Sequence, residues 1–240
     1  MFSVNDKINK NVLVSCDHGL MIVNRFDFDE NKVGNGQFLL DHGNNCTLEA
    51  QKSFEYIKNK ENPIIFDIGA NIGTYSTWMA RIFPNGKIYS FEPQRIIFQM
   101  LCGNIAINNF DNCYTYNAAI GNINGSLEIE EPNYYKQQSF GNYNVCDKTD
   151  NIKNIIDIFK LDYFIKKYKI KTVDFIKIDV EGMDIEVLFG AMNILKKQKP
   201  SLLIEYTNDK QSSLDEIIKI LKDINYSFEI LDRNILAKPN

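Results

Sequence analysis

Residues 63–76 read PIIFDIGANIGTYS. The apolar run Ile64-Ile65-Phe66 leads into Asp67 and then into a turn built of glycine, alanine and asparagine. A continuous apolar run of this length suits a strand covered on both faces. Gly69 permits a sharp turn and lets a ligand approach the backbone where a side chain would collide. Gly73 permits close packing of the element that follows. That element, TYSTWMARIF, has a helical pattern closed by Pro84-Asn85-Gly86. The free amides at its start point toward the strand tip. Taken alone, the stretch is either a ligand-binding turn or an ordinary strand-to-helix connection.

The same alternation continues downstream. KIYSFEP reads as a second strand, QRIIFQMLCGNIAIN as a helix and NCYTYNAAI as a third strand. After the turn GNING comes a short strand, SLEIEE. Residues 131–152 show no period and contain Tyr134, Tyr135, Phe140 and Tyr143, as a long loop or small cap would. KLDYFIKKY reads as a helix, VDFIKIDV as the fourth strand, and MDIEVLFGAMNILKKQ as one amphipathic helix stopped before Pro200. SLLIEY is a fifth strand. Ser213 with Glu216 forms a capping box at the start of the next helix. YSFEIL and NILAKP make a closing hairpin about Asp232-Arg233. Strands alternating with helices predict an α/β fold with a parallel sheet and right-handed crossovers, plus one antiparallel strand.

Residues 1–62 have a different texture. VLVSC and LMIVNRF predict a hairpin about Asp17-His18-Gly19, and TLEAQKSFEYIKNK predicts a helix. The expected division is an N-terminal extension at 1–62 and a main domain at 63–240, with a loop or cap at about 131–160. With 240 residues the chain can bury one sizeable core. A net charge of -4 lacks the basic footprint of a nucleic-acid binder. No apolar run is long enough to span a bilayer, and MFSVNDKINKN lacks the apolar core of a secretory signal. Cys16, Cys46, Cys102, Cys113 and Cys146 form no CxxC pair and read as reduced thiols. The expected location is the cytoplasm.

In parallel sheets, ligands bind outside the carboxyl ends of the strands. This selects Asp67 to Gly73, Glu92-Pro93, Asn117, Asp179 to Gly182 and Glu205. A dinucleotide fingerprint, GxGxxG, cradles a pyrophosphate. Here the turn is GANIG, and Asp67 stands where a diphosphate would be repelled, which disfavours a nicotinamide-dependent oxidoreductase. Asp67 suits a cationic group, and Glu92 suits a ribose diol. A ligand with a ribose, a positive charge and no phosphate fits S-adenosylmethionine.

FDIGANIGTYS, YSFEP, NAAIG followed by GSLEI, LDYF, VDFIKIDVEGMDIEVLFGA and PSLLIEY resemble the successive motifs of FkbM-type methyltransferases. The resemblance runs from about Asp29 to the C-terminus. It implies the class I methyltransferase (Rossmann-like) fold: a seven-stranded, mostly parallel sheet with a C-terminal antiparallel hairpin. It also implies S-adenosylmethionine as cofactor and a small-molecule or glycan acceptor methylated on a hydroxyl, with no nucleic-acid partner. Asp67, Gly69, Asn71, Gly73 and Glu92 are the expected cofactor residues, with Tyr75, Pro93, Asn117, Ala118 and Asp179 beside them. Asp184 stands where the family usually carries a glutamate.

Methyl transfer to an alcohol benefits from a positioned base. The two histidines, His18 and His42, are both N-terminal, so a carboxylate is expected: Glu181 first, with Asp179 and Glu205 beside it. Lys177, a charge within an apolar strand, needs a partner; Asp179, Glu181 and Glu205 are the candidates, and substrate positioning is its other role. Asp179, Glu181 and Glu205 could instead hold magnesium, but the resemblance requires no metal and none is expected. His42 reads as a surface loop residue, or as one able to swing over the site. The aromatic cluster at 134–143 suits sugar faces and a self-packed loop equally. A non-catalytic binding module retaining the fold is the alternative function. Oligomeric state is open, a homodimer included.

Overall fold

The computed structural model describes residues 9–17, 19–29, 34–43, 48–141, 153–206 and 211–240, with residues 48–50, 211 and 212 described by backbone alone. Its centre is a seven-stranded sheet. In chain order the strands are β3 (Ile64–Ile68), β4 (Lys87–Phe91), β5 (Cys113–Tyr116), β9 (Phe175–Ile178), β10 (Ser201–Glu205), β11 (Tyr226–Leu231) and β12 (Asn234–Pro239). Their spatial order is β11-β12-β10-β9-β3-β4-β5. β12 is antiparallel to β10 and β11, while β10, β9, β3, β4 and β5 run parallel. From β3 the chain proceeds through β4 and β5 on one side, then returns to β9 on the other. The strand order therefore reverses between β3 and β9, and a crevice at their carboxyl ends is expected there.

The apolar run of β3 is explained by its two covered faces. Successive strand residues point to opposite sides. Phe66 and Ile68 join a core with Phe91, Phe164, Ile176 and Leu221, whereas Ile65 joins Tyr75, Met79, Phe175 and Leu203. Helices α3 (Thr74–Ile82), α4 (Arg95–Ile107), α5 (Leu161–Lys167) and α8 (Gln211–Asp223) supply the covering layers. Ser213 is the third residue of α8, so it does not cap that helix as expected. Among the described residues no helix is long and apolar enough to cross a membrane.

The predicted N-terminal hairpin forms as β1 (Asn11–Cys16) and β2 (Gly19–Asn24); His18 lies outside the described residues. It docks on α4 through two asparagines one turn apart. Asn104 donates to the carbonyls of Ile22 and Ile72 at 3.1 and 2.8 Å. Asn108 accepts from Leu20 N and donates to Leu20 O at 3.0 and 2.7 Å. These side chains replace a neighbouring strand on the free edge of β2. The helix α2 (Leu48–Ile57) forms as predicted, packing Phe54 and Ile57 beside Phe83. An additional helix, α1 (Asn35–His42), was not anticipated; His42 is its exposed last residue, against Phe38, rather than a loop residue.

Three local expectations are corrected. First, NCYTYNAAI is two strands, not one. Asn117 breaks it by donating its amide to the carbonyls of Glu92 and Pro93, both at 2.9 Å. Beyond it, β6 (Ala118–Ile120) belongs to a second sheet of order β6-β8-β7, with β7 (Gly125–Glu130) and β8 (Lys153–Phe159). Second, β8 therefore occupies the end of the segment expected to be a loop or cap. Within that segment Tyr134 and Phe140 are buried against Met21, Val23 and Ile97, so both rings belong to the core. Tyr135 is half exposed, and Tyr143 lies outside the described residues.

Third, the helix after β9 is broken at Ala191 (φ -106°, ψ 2°) into α6 (Asp184–Gly190) and α7 (Met192–Lys197). The new helix start is capped from α5. The Asp162 carboxylate accepts from Asn193 N, Ile194 N and Asn193 Nδ2 at 2.9 to 3.0 Å. Asp162→Ala is expected to cost about 0.5–2 kcal/mol by urea unfolding, the range for a lost helix cap. An unchanged midpoint would show that the break has another cause.

Candidate active site

The tips of β3 and β4 are bound to each other. Gly69 N and Ala70 N both donate to Phe91 O, at 3.0 and 2.9 Å. Gly69 has φ +82°, and a Cβ there would stand 1.7 Å from the Asp179 carbonyl oxygen. Only glycine allows the end of β9 so close. Asn71 is left-handed (φ 51°), a conformation asparagine tolerates better than most residues. Its Oδ1 accepts from Ile72 N at 2.7 Å. Gly73 (φ +91°) faces Leu101, whose Cδ1 lies 2.5 Å from where a Cβ would be.

Glu92 stands at the tip of β4. Its two carboxylate oxygens accept from Asn71 N (2.9 Å) and Gln94 N (2.8 Å). Burial pushes its pKa up to about 7, against the pull of those two amides. Each oxygen keeps a second lone pair for a ligand. Asn117 and Pro93 are joined to this tip by the bonds already described. Ala118 is in the core beside Phe91 and Phe164. The Tyr75 hydroxyl lies 3.0 Å from Ser53 Oγ of α2. The structure thus turns the side chains of Ala118 and Tyr75 into packing.

Asp67 is within β3, not at its outer tip, and has no exposed surface. Ser76 Oγ donates to its Oδ2 at 2.5 Å, and Lys177 Nζ is 3.4 Å from its Oδ1. The pairing follows from sheet register, since Asp67 and Lys177 are direct neighbours on β3 and β9. Lys177 also meets Asp179 Oδ2 at 2.8 Å and the Gly69 carbonyl at 3.4 Å. Of the three partners expected for Lys177, it contacts Asp179; Asp67 was missed, because only the strand pairing reveals it. Burial opposes the Lys177 charge, but Asp179 and Asp67 outweigh it and raise its pKa.

Beyond Asp179 lies a cavity lined by Asp179, Glu181, Asp184, Glu205, Tyr206 and Arg233, with Val180 and Gly182 at its wall. Asp179 and Glu205 are hydrogen-bonded to each other, and Arg233 Nη2 reaches Glu205 Oε1 at 3.1 Å. Burial disfavours the Asp179 charge, yet Lys177, the Glu205 hydrogen bond and Arg233 together hold it below the usual aspartate range. Burial and the Asp179 charge drive Glu205 well above the carboxylate range. Glu181 is half-buried and left-handed (φ 47°); burial, then Asp179, push it up to about 7. Arg233 was read from sequence as a turn residue alone. Its place opposite the site follows from the β10–β12 register, which pairs Glu205 with Asn234.

Asp179, Glu181 and Glu205 bring carboxylate oxygens within 4.8 Å of one another, close enough to share an ion. Two of the three already hold protein cations, Lys177 and Arg233. At the β3–β4 tips the chemistry is different. Among the described residues those tips offer carboxylates and carbonyls, and the nearby cation Lys177 is held by Asp67 and Asp179. Such a set of acceptors fits a ligand with an ammonium group and a diol, and not a phosphate.

A family model described as the methyltransferase FkbM domain matches residues 67–228. Methyltransferase 1 of Beauveria bassiana is 26% identical over 159 residues, covering 58% of this chain and 62% of that protein. The 2-O-methyltransferase NoeI of Sinorhizobium fredii is 20% identical, covering 77% of this chain and 80% of NoeI. The crystal structure of methyltransferase FkbM from Methylobacillus flagellatus KT superposes with a TM-score of 0.54 at 20% identity, over 74% of this chain and 44% of that one. This chain thus spans less than two thirds of the Beauveria relative and under half of the solved structure. The structural likeness supports the class I methyltransferase fold.

Proposed function

Because this chain belongs to the FkbM methyltransferase family, we propose that it transfers the methyl group of S-adenosylmethionine to a hydroxyl oxygen of a sugar or glycan. The observation that carries this reading is Glu92. Its carboxylate is fixed by the amides of Asn71 and Gln94 at the strand tips, where among the described residues no basic side chain is free for a phosphate. The hydroxyl acceptor draws support from NoeI, which is named as a 2-O-methyltransferase.

When bound, S-adenosylmethionine supplies a methyl carbon on a sulfonium, whose C–S bond breaks as the acceptor oxygen bonds to that carbon. Glu92 would accept the ribose hydroxyls. The Gly69 carbonyl and the Asp179 carboxylate would meet the ammonium end. Asp67 would act from behind, since its carboxylate faces Ser76 and Lys177 rather than the cleft. Asn71 and Gly73 would shape the wall. Glu181 would take the hydroxyl proton, leaving a methyl ether, S-adenosylhomocysteine and a protonated Glu181. Lys177, held charged by its two aspartates, and Glu205, held protonated, would keep Asp179 in place rather than accept that proton.

Calorimetry tests the cofactor half directly. S-adenosylmethionine is expected to bind one site per chain. Glu92→Ala should weaken it by roughly 10- to 100-fold, the worth of hydrogen bonds to a charged group. No binding at millimolar cofactor would overturn the reading and leave a non-catalytic module in its place.

A further inference from the structure

The cavity beyond Asp179 is unevenly compensated. Of its four carboxyls, Asp179 is paired with Lys177 at 2.8 Å, and Glu205, which holds its proton, lies 3.1 Å from Arg233. Among the described residues, neither Glu181 nor Asp184 has a cation partner. Asp184 is only 3% exposed, yet its Oδ1 has no hydrogen-bond partner. It opens α6 immediately after the Glu181-Gly182-Met183 turn and lines the same cavity. A buried acceptor without a donor is costly to keep and is satisfied when a guest supplies one.

We propose that this cavity receives an ammonium group of the acceptor, beside the hydroxyl that is methylated. The substrate is then an amino alcohol of the amino-sugar type rather than a neutral sugar. The proposal rests on the reading that Glu181 faces the acceptor hydroxyl. Asp184 Oδ1 accepts from the ammonium while the neighbouring Glu181 takes the hydroxyl proton. An amine and a hydroxyl on adjacent carbons present both donors together. A divalent ion fits less well. It would need Asp179 and Glu205, which already hold Lys177 and Arg233 and bond to each other. A neutral sugar would supply donors but leave two carboxylates uncompensated.

The test is calorimetric, on the full chain saturated with S-adenosylhomocysteine near neutral pH. The probes are glucosamine, N-acetylglucosamine and glucose. Glucosamine is expected to bind roughly tenfold tighter than either neutral sugar. That preference should shrink between about 0.05 and 0.5 M salt, because screening weakens charge pairing. Asp184→Asn should abolish it while S-adenosylhomocysteine still binds. Equal binding, a neutral preference, no binding of any probe, or a preference that survives Asp184→Asn each overturns the proposal. If Asp184→Asn does not fold, the wild-type preference and its salt dependence decide. Failure of S-adenosylhomocysteine itself to bind would instead overturn the methyl-transfer reading.

Discussion

Lys177→Ala is expected to lower the unfolding free energy by about 3–5 kcal/mol, the range for removing one partner of a buried ion pair. Lys177 lies in β9 between two carboxylates, Asp67 at 3.4 Å and Asp179 at 2.8 Å, with its side chain 15% exposed. Asp67 is fully buried, and its Oδ1 makes no hydrogen bond. Without the lysine that oxygen keeps neither donor nor counter-charge. Asp179 would also lose its nearest cation, and the Gly69 carbonyl would lose its 3.4 Å contact. The damage therefore reaches the glycine turn as well as the core. Lys177→Met combined with Asp67→Asn should recover much of the loss, because a pair removed together leaves no orphaned charge. Urea unfolding measures both. A single-variant loss below about 1 kcal/mol would mean that solvent, not Lys177, compensates Asp67.

The contrast between Asp67 and Phe66 indicates what sequence can carry. Phe66 was legible as core, because a strand covered on both faces must be apolar at every position. The seven strands of the main sheet followed from the same periodicity, and the rule that ligands bind at strand carboxyl ends gave the convergence of Asp67, Glu92 and Asp179 on neighbouring strands. Asp67 was legible as the residue before the glycine turn but not as an internal one, since its direction depends on which strand lies beside β3. Register supplies that information, and register is set by contacts far apart in the chain. The break at Asn117 was hidden for a related reason. Period alone cannot show a strand leaving one sheet for another, and the bonds that enforce the break go to Glu92 and Pro93, 25 and 24 residues away. Tyr134 and Phe140 sit among polar residues in an aperiodic segment, yet they pack under the N-terminal hairpin. Arg233 entered the site through hairpin geometry that a two-residue turn does not announce.

Glu181→Gln is expected to reduce kcat by about 10²–10⁴-fold, the usual contribution of a positioned general base, with cofactor affinity nearly unchanged. The substitution keeps shape and hydrogen-bonding capacity and removes the ability to take a proton. The other candidates at these strand tips are already committed: Lys177 stays charged, Asp179 is held ionised by Lys177, and Glu205 holds its proton. Burial and the Asp179 charge set Glu181 at about 7. A base acts in its deprotonated form, so kcat should rise with pH and reach half its plateau near pH 7. Below that value Glu181 is protonated and cannot accept; above it the rate levels off. Burial pushes Glu92 and Asp184 up to about 7 as well. Saturating cofactor removes the influence of Glu92, whose protonation would act on the proposed cofactor binding. Asp184→Asn separates the remaining group, since its profile should keep the limb near 7 that Glu181→Gln loses. Full turnover in Glu181→Gln with cofactor bound, or a limb that persists there and vanishes in Asp184→Asn, would move the proton to Asp184.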